Sequence, residues 1–475
     1  MATGRFQKSR SMSPRSLVQL SLGAVVTGAF TLMLGCVGCS TKPPEKTPPP
    51  QRTVGSPAQV PPPEKLPRVM LGIDVLEAEG FKAIAGKKIG LLTHPAGVNR
   101  RGESTLNVLR RAPQAKLVTL FAPEHGFDGQ FVASANFGDT RHAATGLTIY
   151  SVHGATRKPT PAMLKGLDAL VIDLQDIGSR SYTFTSAMLC AMAACFEQGV
   201  EVIVLDRPNP LGGLKVDGPP LDAEWKSYVG AFRVPYVHGL TIGELARMAK
   251  ESPGVMVIPK VINVSEAVRA KGRLTVIPMR GWTRNLRWPD TELPWIPTSP
   301  MVPTFDAAVG YAMVGLGCEQ TNWSSGIGKD FPFRGIGYPK KTPDEIIAAM
   351  SAYKIPGLAF VKREGRKPEG KLAPGVYVEV TDWEKWNPTE LSFYMHKQAA
   401  KWERLNPFLG LTAAEQRTFK IHVGSSAWLA ELQRAGSRID VPLFLKNWAA
   451  RAEIYQTQAK KFWLYPWGDT PAARK

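Results

Sequence analysis

Just past the apolar run KLVTLFA (116–122), the chain presents Glu124 and His125 side by side, followed by Gly126 and Gly129. A carboxylate beside an imidazole has the equipment to move a proton. Four other apolar runs also end in functional groups. They are His94, His153, the set Asp173, Gln175 and Asp176 with Arg180, and the stretch Asp206–Arg207–Pro208–Asn209. Further on, HGLTIGEL (238–245) supplies His238. The segment GCEQTNWSSGIGKDFPF (317–333) supplies Glu319 and Asn322 among glycines, serines and amides, a composition that suits a polyol-binding loop or an ordinary long one.

Each of these has a structural alternative. Glu124 could cap a turn or helix, and His125 could be a satisfied structural histidine. Asp173 lies inside an apolar run, where a buried carboxylate needs donors, and Arg180 or Arg207 could provide them. Pro208 and Pro210 could simply stiffen their loop. Thr241 followed three residues later by Glu244 is a capping-box spacing. Trp282, Trp288, Trp295 and Trp323 could stack on sugar faces or pack internally. Five runs ending in polar chemistry nevertheless exceed what packing alone asks for.

The elements that would hold these groups alternate along the chain. Strands are expected at 88–94, 116–122, 147–153, 168–175 and 200–206, with helices near 104–111 and over 181–198. Such alternation implies a parallel sheet covered on both faces, an α/β, Rossmann-like doubly wound domain over 68–304. Ligands of such sheets sit outside the carboxyl ends of the strands, so the five polar endings should converge. The first strand is followed by HPAGVNRRG rather than G-x-G-x-x-G, which disfavours a dinucleotide. A Trp/Pro-rich crossover at 281–304 leads to a smaller C-terminal α/β domain over 305–475. Its expected helices lie near 306–315, 342–353, 387–403 and 443–457, and its strands near 357–362 and 375–381.

Residues 1–39 combine basic residues, an apolar run ending at Gly35, and Cys36 and Cys39. This reads as a lipoprotein-type signal with lipidation at Cys36 or Cys39; an uncleaved anchor or simple secretion are the alternatives. The proline-rich stretch 40–67 is an extended tether. Together they imply export and attachment to a membrane surface. The formal charge of +19 favours anionic partners such as nucleic acid, membrane or cell-wall polymer. No C₂H₂ spacing, P-loop or RNP-like stretch points to nucleic acid. Cys190, Cys195 and Cys318 lack zinc-ligand spacing and read as buried thiols.

Six stretches, in order, resemble one family: EHG (124–126), DLQDIGSRSYTF (173–184), DRPNP (206–210), HGLTIGEL, WIPTSPMVPT (295–304) and GCEQTN…PF. The chain from about Gly72 to Trp467 is similar to the bacterial exo-β-N-acetylmuramidases, glycoside hydrolase family 171, formerly a domain of unknown function. The resemblance implies two domains with the site between them, and release of terminal N-acetylmuramic acid (MurNAc) from the non-reducing end of peptidoglycan fragments such as MurNAc-GlcNAc. It implies no metal and no cofactor. Glu124 would be the general acid/base, its pKa raised by an apolar mouth including Phe121 and Phe127. Asp176 or Glu319 would be the second group, unless the substrate's 2-acetamido oxygen attacks. Arg180 would pair with the lactyl carboxylate, and His125, Asn209, His238 and Asn322 would hold hydroxyls. Asp128, Gln320 and Met301 depart from the family pattern. A non-catalytic peptidoglycan-binding lipoprotein is the alternative; an esterase is disfavoured because no G-x-S-x-G is present.

Overall fold

The computed structural model describes residues 67–367 and 369–468. Strands β1 (Lys88–Thr93), β2 (Lys116–Ala122), β3 (Thr140–Arg141), β4 (Thr148–Ser151), β5 (Ala169–Asp173) and β6 (Glu201–Leu205) come first. A small hairpin, β7 (Val257–Ile258) and β8 (Ile262–Asn263), precedes β9 (Leu274–Ile277). The central sheet runs β3-β4-β2-β1-β5-β6-β9. All its pairings are parallel except β3 with β4, an antiparallel edge. The five expected strands are therefore present, 116–122 with the expected bounds and the other four shorter by one to three residues. The reading missed β9, whose LTVI is only partly buried at the sheet edge.

The strands stay buried because both faces are covered. Every residue of β5 (ALVID) is buried, as expected for β-branched and aliphatic residues packed on two sides. One cover is the helix Phe184–Gln198, buried continuously from Phe184 to Phe196 and closed by Gly199 at φ 68. A helix apolar all round belongs in a core. Its thiols at Cys190 and Cys195 are buried and free, and burial pushes the Cys190 thiol up to about 12. The chain crosses back after β4, so the sheet's switch point lies between β1 and β5.

A second, antiparallel sheet has the order β10-β11-β13-β12, from Ser324–Ser325, Gly335–Gly337, Leu372–Val380 and Leu358–Arg366 respectively. The helices Phe305–Val314, Pro343–Ser351, Glu390–Trp402 and Val441–Ala459 match expectation. The helices Ala413–Val423 and Ser426–Ala435 were not anticipated, and both bear on the site. Trp386, Trp428, Phe393 and Phe419 form the apolar centre here. Polar clasps join the two sheets' surroundings: Trp225 Nε1 donates to Ser426 Oγ at 2.6 Å, and Lys215 Nζ donates to the carbonyls of Glu384 and Trp386 at 3.1 and 2.9 Å.

Candidate active site

Beyond the C-terminal end of β2 the chain turns sharply. His125 and Gly126 are both left-handed, at φ 72 and 81. Gly126 is required here, because a Cβ would lie 2.6 Å from the Phe131 ring. The turn sets Glu124 and His125 on the wall of a cavity of about 380 Å³. His153 and Arg157 reach the same cavity from the loop after β4, and Thr183 from the start of the long buried helix. Tyr228, Met301, Tyr311 and His422 are among its other polar and apolar lining residues. Residues from both sheets' surroundings thus meet at this cavity.

Glu124 is held on both oxygens. Oε1 accepts the Ser134 N–H at 2.7 Å, Oε2 accepts the Thr183 hydroxyl at 2.5 Å, and His153 Nε2 stands 3.4 Å from Oε1. Burial alone would push this carboxyl up. The Thr183 and Ser134 hydrogen bonds, with His153 and His125 nearby, outweigh it and hold the carboxyl below its ordinary value. This corrects the expectation of a raised pKa. Phe121 is sealed in the core and Phe127 packs on His142, so neither lines the cavity. Burial pushes the His153 imidazole down to about 4, against the pull of Glu124. The pair is therefore carboxylate and neutral imidazole at neutral pH. His125 Nδ1 lies 2.8 Å from the Phe131 carbonyl and donates to it, leaving Nε2 as the basic nitrogen.

Several expected site residues are placed elsewhere. Both terminal nitrogens of Arg180 are engaged with main-chain carbonyls: Nη1 donates to Pro219 and Val234 at 2.7 and 2.9 Å, and Nη2 to His422 and Val423 at 3.1 and 2.9 Å. The carbonyls come close because Gly424, at φ 88, has no Cβ; one there would meet Nη2 at 2.3 Å. With both Nη atoms spent, Nε buried and the residue off the cavity wall, Arg180 is not placed to make a bidentate pair with a substrate carboxylate. Asn209 spends its amide on the Leu240 carbonyl and the Leu211 N–H, both at 3.0 Å, which shapes the DRPNP loop. Asn322 donates to Glu403 at 2.8 Å, away from the cavity. Asp176 and His238 form a buried pair, Oδ2 to Nε2 at 3.4 Å, that is not on the wall. Glu319 is also off the wall, but its Oε2 lies 3.7 Å from Nδ1 of His422, which is on it. Burial raises the Glu319 pKa, with His422 opposing.

The switch-point crevice between β1 and β5 is taken up by structure. Arg207 chelates Asp173, which also accepts the Thr105 hydroxyl, and His94 Nε2 accepts the Gln175 N–H at 2.9 Å. Thr241 and Glu244 form the expected capping box, with Arg284 on the Glu244 carboxylate at 2.6 Å. None of the four candidate tryptophans lines the cavity; Trp295 serves it indirectly, its Nε1 donating to the Val302 carbonyl at 3.2 Å. Of the three departures from the family pattern, Met301 alone lines the cavity, and Asp128 is exposed. Arg157, Thr183, Tyr228, Tyr311 and His422 were missed. Thr183 sits inside a quoted motif and Arg157 four residues past His153, whereas Tyr228, Tyr311 and His422 carried no signal tying them to Glu124.

Residues 89–306 match the family model described as the N-terminal part of exo-beta-N-acetylmuramidase NamZ, and residues 309–465 match its C-terminal part. Peptidoglycan beta-N-acetylmuramidase NamZ of Bacillus subtilis (strain 168) is 40% identical over 326 residues, 68% of this chain and 75% of that protein. Two crystal structures of DUF1343 family proteins from Bacteroides fragilis NCTC 9343 share the fold, with TM-scores of 0.72 and 0.62 at 33% and 27% identity. Each comparison covers 84% of this chain and 99% of the other. With both halves matched by its models, the chain belongs to the exo-beta-N-acetylmuramidase NamZ family.

Proposed function

We propose that this protein is an exo-acting glycoside hydrolase that releases terminal MurNAc from the non-reducing end of peptidoglycan fragments, with Glu124 carrying the proton. The observation that carries this reading is Glu124 itself: a carboxylate fixed by Thr183 and Ser134, beside a neutral His153, on the wall of a cavity of about 380 Å³. That volume is near the small end of ligand pockets, about 300–1,000 Å³, and suits a terminal sugar better than a run of polymer. The Bacillus subtilis relative is named for peptidoglycan beta-N-acetylmuramidase activity, which supports the substrate class.

Glycoside cleavage needs a proton for the leaving oxygen and a partner for the anomeric carbon. Burial already pulls the Glu124 pKa upward, and a sugar that covers the carboxylate and expels water strengthens that pull. Glu124, a carboxylate in the open site, takes up a proton as the sugar covers it and passes that proton to the leaving oxygen. Among the described residues it is the one carboxylate on the wall, so we assign attack at the anomeric carbon to the 2-acetamido oxygen of the substrate; water, deprotonated by the Glu124 carboxylate left after proton donation, then opens the resulting oxazolinium ring at the anomeric carbon and frees MurNAc. The test is to incubate the full chain with muropeptide fragments and identify the released sugar by mass. Aryl MurNAc glycosides with mono-, di- and trifluorinated N-acetyl groups then probe the nucleophile. A steep fall in kcat with each fluorine is expected, and a flat series would rule out acetamido participation.

The address belongs to the same proposal. Cys36 and Cys39 lie outside the described residues, and the proposal that one is lipidated rests on the sequence pattern and the tether that follows. Metabolic labelling with an alkynyl fatty acid should mark the protein and fail in either Cys36→Ser or Cys39→Ser. Persistent label in the double variant would exclude both positions.

A further inference from the structure

With Arg180 committed to the backbone, the cavity needs another explanation for its charge. Among the described residues, one guanidinium and no ammonium group stands on its wall: Arg157, in the loop between β4 and the helix Pro161–Leu164. Its Nη1 is buried and has no hydrogen-bond partner among the described residues. The Tyr228 ring lies beneath it, with the guanidinium carbon 5.0 Å from the ring centroid. Tyr228 is on the same wall; its hydroxyl is buried, and the polar group it meets there is the Arg157 guanidinium. A guanidinium and a phenol from separate loops thus meet on one cavity wall with no anionic acceptor between them, and buried donors almost always find an acceptor.

The charges around Arg157 leave it free for a ligand. Glu124 is engaged by Thr183, Ser134 and His153. Glu197 is paired with the neighbouring Lys158, whose Nζ donates to Oε2 at 2.5 Å. His153, within electrostatic reach of Arg157, is pushed toward its neutral form by burial. The cavity thus contains a cation and a phenol whose missing partner is an acceptor with negative charge. MurNAc differs from its neutral parent, N-acetylglucosamine, by a lactyl ether that ends in a carboxylate.

We propose that Arg157 and Tyr228 form the subsite that grips the lactyl carboxylate, and so make the cavity select an acidic sugar over its neutral parent. The inference rests on the glycosidase reading above and adds the source of its specificity. A guanidinium and a hydroxyl converging on one carboxylate give two charge-assisted hydrogen bonds. The cation over the Tyr228 ring keeps the guanidinium oriented before substrate arrives.

The test compares three aryl β-glycosides on the full chain: that of MurNAc, that of the MurNAc methyl ester, and that of N-acetylglucosamine. For Arg157→Gln, kcat/KM on the MurNAc glycoside should fall about 10- to 100-fold, mostly through KM. The loss should be smaller on the ester, which keeps an acceptor carbonyl but no charge, and smallest on the N-acetylglucosamine glycoside, which has no lactyl group. Tyr228→Phe, which keeps the ring, should show a smaller loss with the same pattern, and Arg157→Lys should recover part of it. Equal losses on all three glycosides, or no loss on the acid, would overturn the proposal. Calorimetric titration with free MurNAc and its methyl ester separates the two readings. If wild type cleaves nothing yet binds MurNAc over the ester, and Arg157→Gln abolishes that preference, the glycosidase reading fails while the subsite stands.

Discussion

Glu124→Gln is expected to lower kcat/KM on a natural MurNAc-GlcNAc disaccharide by about 10²- to 10⁴-fold, the range of a positioned acid–base group. The substitution is close to isosteric. The amide oxygen still accepts the Ser134 N–H, and the Thr183 hydroxyl can rotate to accept from the new amide nitrogen. Melting temperature and MurNAc binding should therefore stay near wild type. The loss should be smaller on an aryl glycoside whose leaving group departs without a proton, and that contrast separates proton donation from electrostatic stabilisation. Near wild-type turnover of the disaccharide would remove Glu124 from the chemistry. Equal losses on both substrates would reassign it to charge stabilisation.

Arg180→Met should fail in a different way. The side chain is buried and its charge is met by four carbonyls, those of Pro219 and Val234 in one region and of His422 and Val423 in another. Burial lowers its pKa to about 10, which still leaves it charged at neutral pH. Removing it strands buried acceptors, at about 1–3 kcal/mol each where water cannot reach. Against a total stability of about 5–15 kcal/mol, that is a large fall in the urea midpoint. Whatever variant remains folded should keep its preference for MurNAc over N-acetylglucosamine. An unchanged midpoint with a lost preference would return Arg180 to the substrate and displace Arg157.

The contrast between these two arginines shows where a linear reading stops. Both lie in polar loops after sheet strands, both are arginines, and Arg180 sits in the more suggestive motif. Nothing local distinguishes a guanidinium that clasps carbonyls 242 and 243 positions along the chain from one left open to a cavity. Glu124 shows the same limit. Its position at the end of β2 follows from a short apolar run stopping at a Pro and a Gly, and that much was legible. Its lowered pKa depends on a hydroxyl 59 positions away, and the expectation of an apolar mouth failed because Phe121 turned into the core.

The sequence by itself determined the alternation of strands and helices, the parallel sheet, the buried helix Phe184–Gln198, the capping box at Thr241, and the location of Glu124 and His125 at a strand end. These follow from residue periodicity, turn chemistry and burial, which act within a few residues of the chain. Tertiary structure alone decided which polar endings share a cavity, which are spent on holding loops, and which protonation state Glu124 favours. Those outcomes are set by hydrogen-bond partners and desolvation contributed from distant segments, and such contributions exist only once the chain has folded.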